Sequence, residues 1–139
     1  MKVLVTGGAG YIGSTVAQQL LDAGHLVTVL DNLSSGHRPA VPPGATFVRG
    51  ETLDRALLDG VLQAGGFDAI LHFAAFIEAG ESMREPGRFF RNNVTGSLQL
   101  VDAAVAHGVG RFVFSSTAGV YASKDGPLLE EDAVGPASV

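Results

Sequence analysis

Between the apolar stretch Val3-Leu4-Val5 and the amphipathic stretch that begins near Tyr11, the chain runs Thr6-Gly7-Gly8-Ala9-Gly10-Tyr11-Ile12-Gly13. Glycines at fixed offsets in a strand-to-helix turn leave few options. Backbone without Cβ atoms can touch an incoming group, and the helix that follows aims its free N–H groups and positive dipole end at the same spot. The group that suits such a place is an anion, and the pyrophosphate of a dinucleotide matches the spacing. The triplet can be taken as Gly8-x-Gly10-x-x-Gly13 or as Gly7-x-x-Gly10-x-x-Gly13. A plain structural turn is the alternative, in a chain with 19 glycines. Asp31 ends the next apolar stretch, about where a ribose-binding acid belongs. Its carboxylate can accept from both adenosine ribose hydroxyls and would repel a 2′-phosphate, which favours NAD over NADP. The other reading of Asp31 is a cap on the loop Asn32-Leu33-Ser34-Ser35-Gly36.

Apolar runs alternate with helical periodicity in the pattern of a parallel sheet covered on both faces. Strands are expected at 2–6, 26–30, 46–49, 68–73 and 111–115, and helices at 11–23, at 53–64 and in a long segment ending near His107. Ile12, Val16, Leu20 and Ala23 form the apolar stripe of the first helix, which stops at Gly24. Val94, Leu98, Val101 and Val105, with Leu100 as a further candidate, form the expected buried face of the last, and Gly108 its C-cap. Pro39, Pro42, Pro43 and Gly44 shorten the connection between the second and third strands, where a crossover helix would otherwise stand. The expected fold is a doubly wound α/β domain with strand order 3-2-1-4-5 and the cofactor across the carboxyl ends, at the switch point between strands one and four. Residues 1–121 make that domain, and 122–139 a polar loop or tail.

A length of 139 residues suits one domain. A net charge of −5, with nine scattered Lys and Arg, gives no basic stripe, so neither nucleic acid nor an anionic membrane is an expected partner. The lack of Cys excludes disulfides, thiol catalysis and zinc-thiolate sites. His25, His37, His72 and His107 have no ligand spacing, so no metal is expected. With neither a signal peptide nor a spanning stretch, the expected location is the cytoplasm. Glu78 and Glu81 lack the sugar cleft that a carboxylate pair would need, and Arg84, Glu85, Arg88 and Arg91 read as a solvated helix face.

Six segments together carry a family resemblance: Thr6 to Gly13, Asp31-Asn32-Leu33-Ser34-Ser35-Gly36, His72-Phe73-Ala74-Ala75, Gly80-Glu81-Ser82, Asn92-Asn93-Val94-x-Gly96 and Phe114-Ser115-Ser116-Thr117-Ala118-Gly119-Val120-Tyr121. In order and spacing the chain resembles the extended short-chain dehydrogenase/reductases, and more narrowly the UDP-glucose (UDP-galactose) 4-epimerases. The resemblance implies that Gly7, Gly10, Tyr11, Ile12 and Gly13 wrap the pyrophosphate of NAD. It implies that Asp31, Asn32, Ser34, Ser35 and Gly36 hold the adenosine half. The family usually places Gly-Asp after its third strand for the adenine amino group; Gly50-Glu51 stands here, so that contact passes to Glu51, with Thr52 beside it. Phe73, Ala74 and Ala75 would wall the nicotinamide ribose, Asn92 would reach the pyrophosphate from the facing helix, and Ser115 would lie under the nicotinamide ribose. Each has a plainer reading: Phe73 as core, Asn92 as a polar helix-face residue, Ser115 as a strand-end cap.

In that family a tyrosine takes the proton of the sugar 4-OH as hydride leaves C4, and the 4-keto sugar rotates and takes the hydride back on its other face. A lysine four residues after the tyrosine and the nicotinamide charge depress the tyrosine's pKa. A Ser or Thr hydroxyl bonds the same oxygen, and Thr117 matches it, a satisfied loop hydroxyl being the alternative. The Tyr-x-x-x-Lys pair is missing. Tyr121-Ala122-Ser123-Lys124 has a spacing of three, Tyr121 matches a different family tyrosine, and Lys124-Asp125-Gly126-Pro127 reads as a turn. The resemblance therefore implies the NAD-binding portion of a UDP-sugar 4-epimerase, cut short before the tyrosine helix and inactive alone, its UDP-sugar substrate belonging to the full enzyme. A non-catalytic dinucleotide-binding module and a fragment of a nucleotide-sugar dehydratase or reductase are the alternatives. The strand at 111–115 becomes a sheet edge in such a chain, which invites self-association.

Overall fold

The computed structural model describes residues 1–137. Five parallel strands, β1 (Lys2–Thr6), β2 (Leu26–Asp31), β3 (Thr46–Arg49), β4 (Ala69–His72) and β5 (Phe112–Phe114), form one sheet in the order β3-β2-β1-β4-β5, as expected. Val3 of the central strand pairs with Val27 on one side and Ala69 on the other. Successive side chains of a strand leave opposite faces. Val3 and Val5 therefore enter the layer beneath α1 (Tyr11–Asp22), among Ala17, Val27, Val29 and Ala69. Leu4 enters the opposite layer, among Leu30, Leu58, Leu62, Ile70 and Leu100, beneath α2 (Arg55–Gly65) and α5 (Gly96–Ala106). No helix among the described residues is long and apolar enough to cross a membrane.

The β2–β3 connection is short, as its prolines imply. A single 3-10 turn, Arg38–Ala40, precedes Val41, which drops into the α1-side layer. Val41 and the neighbouring Pro42, both buried, stand where a crossover helix would pack. At the other end of β3, Asp54 caps α2 by accepting from the Leu57 N–H at 3.0 Å.

Of two expected helix faces, that of α1 holds in half of its residues and that of α5 is overturned. In α1 the buried residues are Gly13 and Ala17; Val16 and Leu20 of the expected stripe are partly buried, as is Leu21, while Ile12 and Ala23 are exposed. A Cβ on Gly13 would strike the Gly7 carbonyl oxygen, so the helix packs through the residue without a side chain, and that sets its phase. In α5 the buried residues are Gly96, Leu100, Ala103 and Ala104, whereas Val94, Leu98, Val101 and Val105 are exposed, Val105 at 75%. The helix meets the sheet and α2 through its smallest residues, which a ranking by side-chain size places outside. Leu100 alone of the expected face is buried.

The single long helix expected before His107 is interrupted. A turn of helix, α3 (Ala79–Ser82), comes first, then α4 (Pro86–Phe89), a widened π-helical turn over Phe90–Thr95, and α5. Gly108 closes α5 at φ +70°, its N–H donating to the Val105 carbonyl at 3.1 Å. Beyond Thr117 the chain folds back on itself. Ala122 N–H donates to the Ala133 carbonyl at 2.8 Å and Gly135 N–H to the Val120 carbonyl at 3.0 Å, so bonds tie the two sides of the expected boundary at 121/122. Ser138 and Val139, the end of the expected tail, lie outside the described residues.

Candidate functional site

The carboxyl ends of the strands are levelled by four backbone bonds across the sheet. Gly50 N–H donates to the Asp31 carbonyl, Gly7 to Leu30, Phe73 to Thr6 and Ser115 to His72, all at 2.9–3.1 Å. Each donor is the residue immediately past its strand. The segments singled out in the sequence therefore leave the sheet along one rim, at the switch point of a doubly wound fold.

At the centre of the rim Gly7 has φ +73°, a conformation that favours glycine, and a Cβ there would meet the Ala74 nitrogen at 2.6 Å. Both triplet readings contain necessary glycines, because a Cβ on Gly8 would meet Val29 at 2.7 Å. Gly10 is different: its Cβ would touch only the Gly7 oxygen, at 3.3 Å, leaving open space on the remaining side. Gly10 is also the N-cap of α1 and supplies no side-chain capping bond, so the first N–H groups of the helix point outward without a side-chain acceptor. Tyr11 is 90% exposed over that end.

Asp31 is only 8% exposed. One carboxylate oxygen accepts from the Ala9 N–H at 2.9 Å and the other from the Leu33 N–H at 2.8 Å. The loop-capping reading thus holds, and the same carboxylate also ties the glycine turn to the β2 end. Leu33 adopts φ +62°, unfavourable for a branched residue, and the bond from its N–H to Asp31 supports it there. Asn32 Oδ1 accepts from the Ser34 N–H at 2.8 Å, and the His37 N–H donates to the Ala9 carbonyl at 2.9 Å. Those bonds fold Ser34, Ser35 and Gly36 back onto the glycine turn, where a Cβ on Gly36 would meet the Ala9 Cβ at 2.8 Å. Glu51 is exposed at the β3 end. Thr52 is buried, its hydroxyl against Gly96.

On the other side of the switch point the backbone of Phe73 and Ala74 abuts Gly7, while the Phe73 ring packs on the α1-side core. Asn93, in the widened turn, clasps the strand extension: its Oδ1 accepts from the Phe76 N–H at 2.8 Å and its Nδ2 donates to the Phe76 carbonyl at 2.9 Å. Asn92 Nδ2 donates to Asn93 Oδ1 at 2.8 Å, which leaves its own Oδ1 and second N–H available. Beneath them His72, 3% exposed, lies between Thr6 Oγ1 at 2.5 Å and Ser97 Oγ at 2.7 Å, with the rings of Phe112 and Phe114 alongside. Burial pushes its imidazole down to a pKa of about 4, so it is neutral at ordinary pH.

Past β5, Ser115 and Thr117 are exposed. Thr117 Oγ1 accepts from the Gly119 N–H at 3.1 Å, matching the loop-hydroxyl reading and leaving the hydroxyl proton free to donate. Tyr121 is in extended backbone bridged to Val134, and Lys124 forms an ion pair with Asp132 at 2.5 Å, so the two do not make a base and its lysine. The Lys124 bond, followed by the Leu129 N–H, holds the Asp132 carboxyl below the usual range. Glu81 is likewise engaged, by Arg88, whose guanidinium stacks 4.5 Å over the Phe76 ring.

Sequence reasoning missed His72, Ser97 and the clasp of Asn93. The one available signal is the histidine that closes an otherwise apolar strand and opens the segment His72-Phe73-Ala74-Ala75.

A family model, the NAD dependent epimerase/dehydratase family, matches residues 3–138. The UDP-glucose 4-epimerase of Corynebacterium glutamicum is 48% identical over 132 residues, which are 95% of this chain and 40% of that protein. The chain thus spans about two fifths of the length of that relative and of the Streptomyces lividans UDP-glucose 4-epimerase. Among solved structures, UDP-glucose 4-epimerase from Brucella ovis in complex with NAD superposes with a TM-score of 0.92 at 39% identity, over 99% of this chain and 42% of that one. The Thermotoga maritima enzyme with UDP-glucose gives 0.92 at 36% identity, over 99% and 46%. With that model matching residues 3–138 and the sheet order of a doubly wound fold, the chain belongs to the NAD dependent epimerase/dehydratase family.

Proposed function

We propose that this chain binds NAD along the rim and is the cofactor-holding part of a UDP-sugar 4-epimerase. The observation that carries the reading is the glycine turn: Gly7 and Gly13 are closed to any Cβ by backbone, while Gly10 faces open space at an uncapped helix N-terminus. A diphosphate lying there meets the outward N–H groups of Tyr11, Ile12 and Gly13. Asp31 uses one lone pair of each oxygen on Ala9 and Leu33, and its remaining lone pairs would accept the adenosine ribose hydroxyls. Asn32, Ser34, Ser35 and Gly36 would border the adenosine, with Glu51 at the adenine. Buried Thr52 would back the same wall. The amide of Asn92 would donate to the pyrophosphate from the facing turn, and the backbone of Phe73, Ala74 and Ala75 would flank the nicotinamide ribose above Ser115.

When bound, NAD supplies a reversible hydride acceptor for the sugar C4. Thr117 would donate its free hydroxyl proton to the reacting sugar oxygen. The 139 residues contain no Tyr-x-x-x-Lys, so the chain by itself is proposed not to epimerise. Calorimetry with NAD and NADP tests the binding: NAD should give saturable heat and a thermal upshift, and NADP should bind at least about tenfold more weakly, because the Asp31 carboxylate repels a 2′-phosphate. No heat and no upshift with saturating NAD would overturn the reading. Incubation with NAD and UDP-galactose should yield no UDP-glucose above blank, and turnover would refute the proposed inactivity.

A further inference from the structure

We propose that His72 is a positioning residue of the dinucleotide site, holding the widened turn Phe90–Thr95 in register through Ser97 so that Asn92 and Asn93 face the rim. The inference rests on the NAD-binding reading above and adds a residue that does not itself reach the cofactor.

The hydrogen bonds fix its chemistry. Ser97 Oγ donates to the Asn93 carbonyl, one helical turn back, at 2.6 Å. Its single proton is thereby used, so toward His72 the hydroxyl can only accept, and Nε2 carries the imidazole proton. Nδ1 is then bare and accepts from Thr6 Oγ1–H. Thr6, His72, Ser97 and the Asn93 carbonyl form one chain of donors all pointing the same way, an arrangement in which each bond polarises the next. It joins the end of β1, the end of β4 and the first turn of α5. A serine that back-bonds to the carbonyl four residues earlier competes with regular helical bonding and bends the helix. Here that bond sits at the seam between the widened turn and α5, and His72 fixes the rotamer of the serine that makes it. Asn93, held by its carbonyl, clasps both polar groups of Phe76, and Asn92 leans on Asn93. One buried imidazole thus sets both the turn that carries Asn92 and the extension Phe73–Phe76 beside the glycine turn.

A neutral imidazole can simply fill a polar niche in a core, and the variants separate the two roles. Gln reaches the Nε2 position and can donate to Ser97, whereas Asn presents polar atoms only as far as Nδ1. His72→Gln should keep NAD affinity within about twofold of the unaltered chain, while His72→Asn and Ser97→Ala should weaken it about tenfold, the scale of one lost hydrogen bond. Urea unfolding should show His72→Gln and His72→Asn similarly destabilised, so stability alone would not split them. Unchanged affinity in His72→Asn and Ser97→Ala overturns the proposal, as does an equal loss in His72→Gln and His72→Asn. Should the unaltered chain bind no NAD, the reading above fails, and NMR of the unliganded chain still decides this one. Imidazole 15N shifts should show Nε2 protonated and Nδ1 bare, and the Asn93 side-chain amide should lose exchange protection in His72→Asn but keep it in His72→Gln. A protonated Nδ1, or Asn93 protection indifferent to His72→Asn, would refute the positioning role.

Discussion

Acid should destabilise this chain through His72. The imidazole is held down to about 4 when folded, against 6.5 for the exposed side chain, because burial penalises its charged form. Its hydrogen-bonding and ring neighbours are Thr6, Ser97, Phe112 and Phe114, none of them charged. The unfolded chain therefore binds the proton first, and the folded state loses stability as pH falls through 6.5 toward 4. Each unit of that interval costs about 1.4 kcal/mol, so a drop from about pH 7 to about pH 5 removes roughly 2 kcal/mol, and the full interval roughly 3. Losses of that size are a sizeable share of a domain's usual 5–15 kcal/mol. Urea unfolding of the unaltered chain and of His72→Gln over this range isolates the effect, since His25, His37 and His107 are common to both. The difference in unfolding free energy should rise with pH by about 2 kcal/mol between about pH 5 and pH 7 and then level off. A difference that is flat with pH would mean that His72 is accessible enough to hold a proton when folded, and the account of its burial would fall.

Gly13→Ala should lower the melting temperature and reduce NAD binding more than about tenfold, because its Cβ meets the Gly7 carbonyl and an overpacked contact of that kind costs ~1–3 kcal/mol; calorimetry with and without NAD reads both. Asp31→Ala should cost ~1–3 kcal/mol in urea by orphaning the Ala9 and Leu33 N–H groups, and should narrow the preference for NAD over NADP. Leu98→Gln, on the open face of α5, should change stability by less than ~0.5 kcal/mol, whereas Ala104→Leu, on the face against the sheet, should cost ~1–3 kcal/mol. The edge strand β5 should pair with a second copy, and Val113→Lys, which charges an exposed edge position, should shift sedimentation toward the monomer.

Much of the fold was legible in the chain because its strongest signals are local. A strand buried on both faces must be apolar at every position, so Val3-Leu4-Val5 and its counterparts stand out without tertiary information, and right-handed crossovers leave few strand orders. The glycine turn announced itself for the same reason: the backbone contacts that exclude a Cβ at Gly7 and Gly13 are made within a few residues or with the neighbouring strand. What only the tertiary structure decided concerns how elements face one another. Gly96, Ala103 and Ala104 are the inner face of α5 because close approach to the sheet needs small residues, while periodicity weighted by size chose Val94, Leu98, Val101 and Val105. The Thr6–His72–Ser97–Asn93 chain contains a single bond between residues 66 positions apart, so no short window of sequence contains it. A hydrogen bond between distant polar side chains leaves no periodicity behind. It exists only once the sheet has set the ends of β1 and β4 side by side.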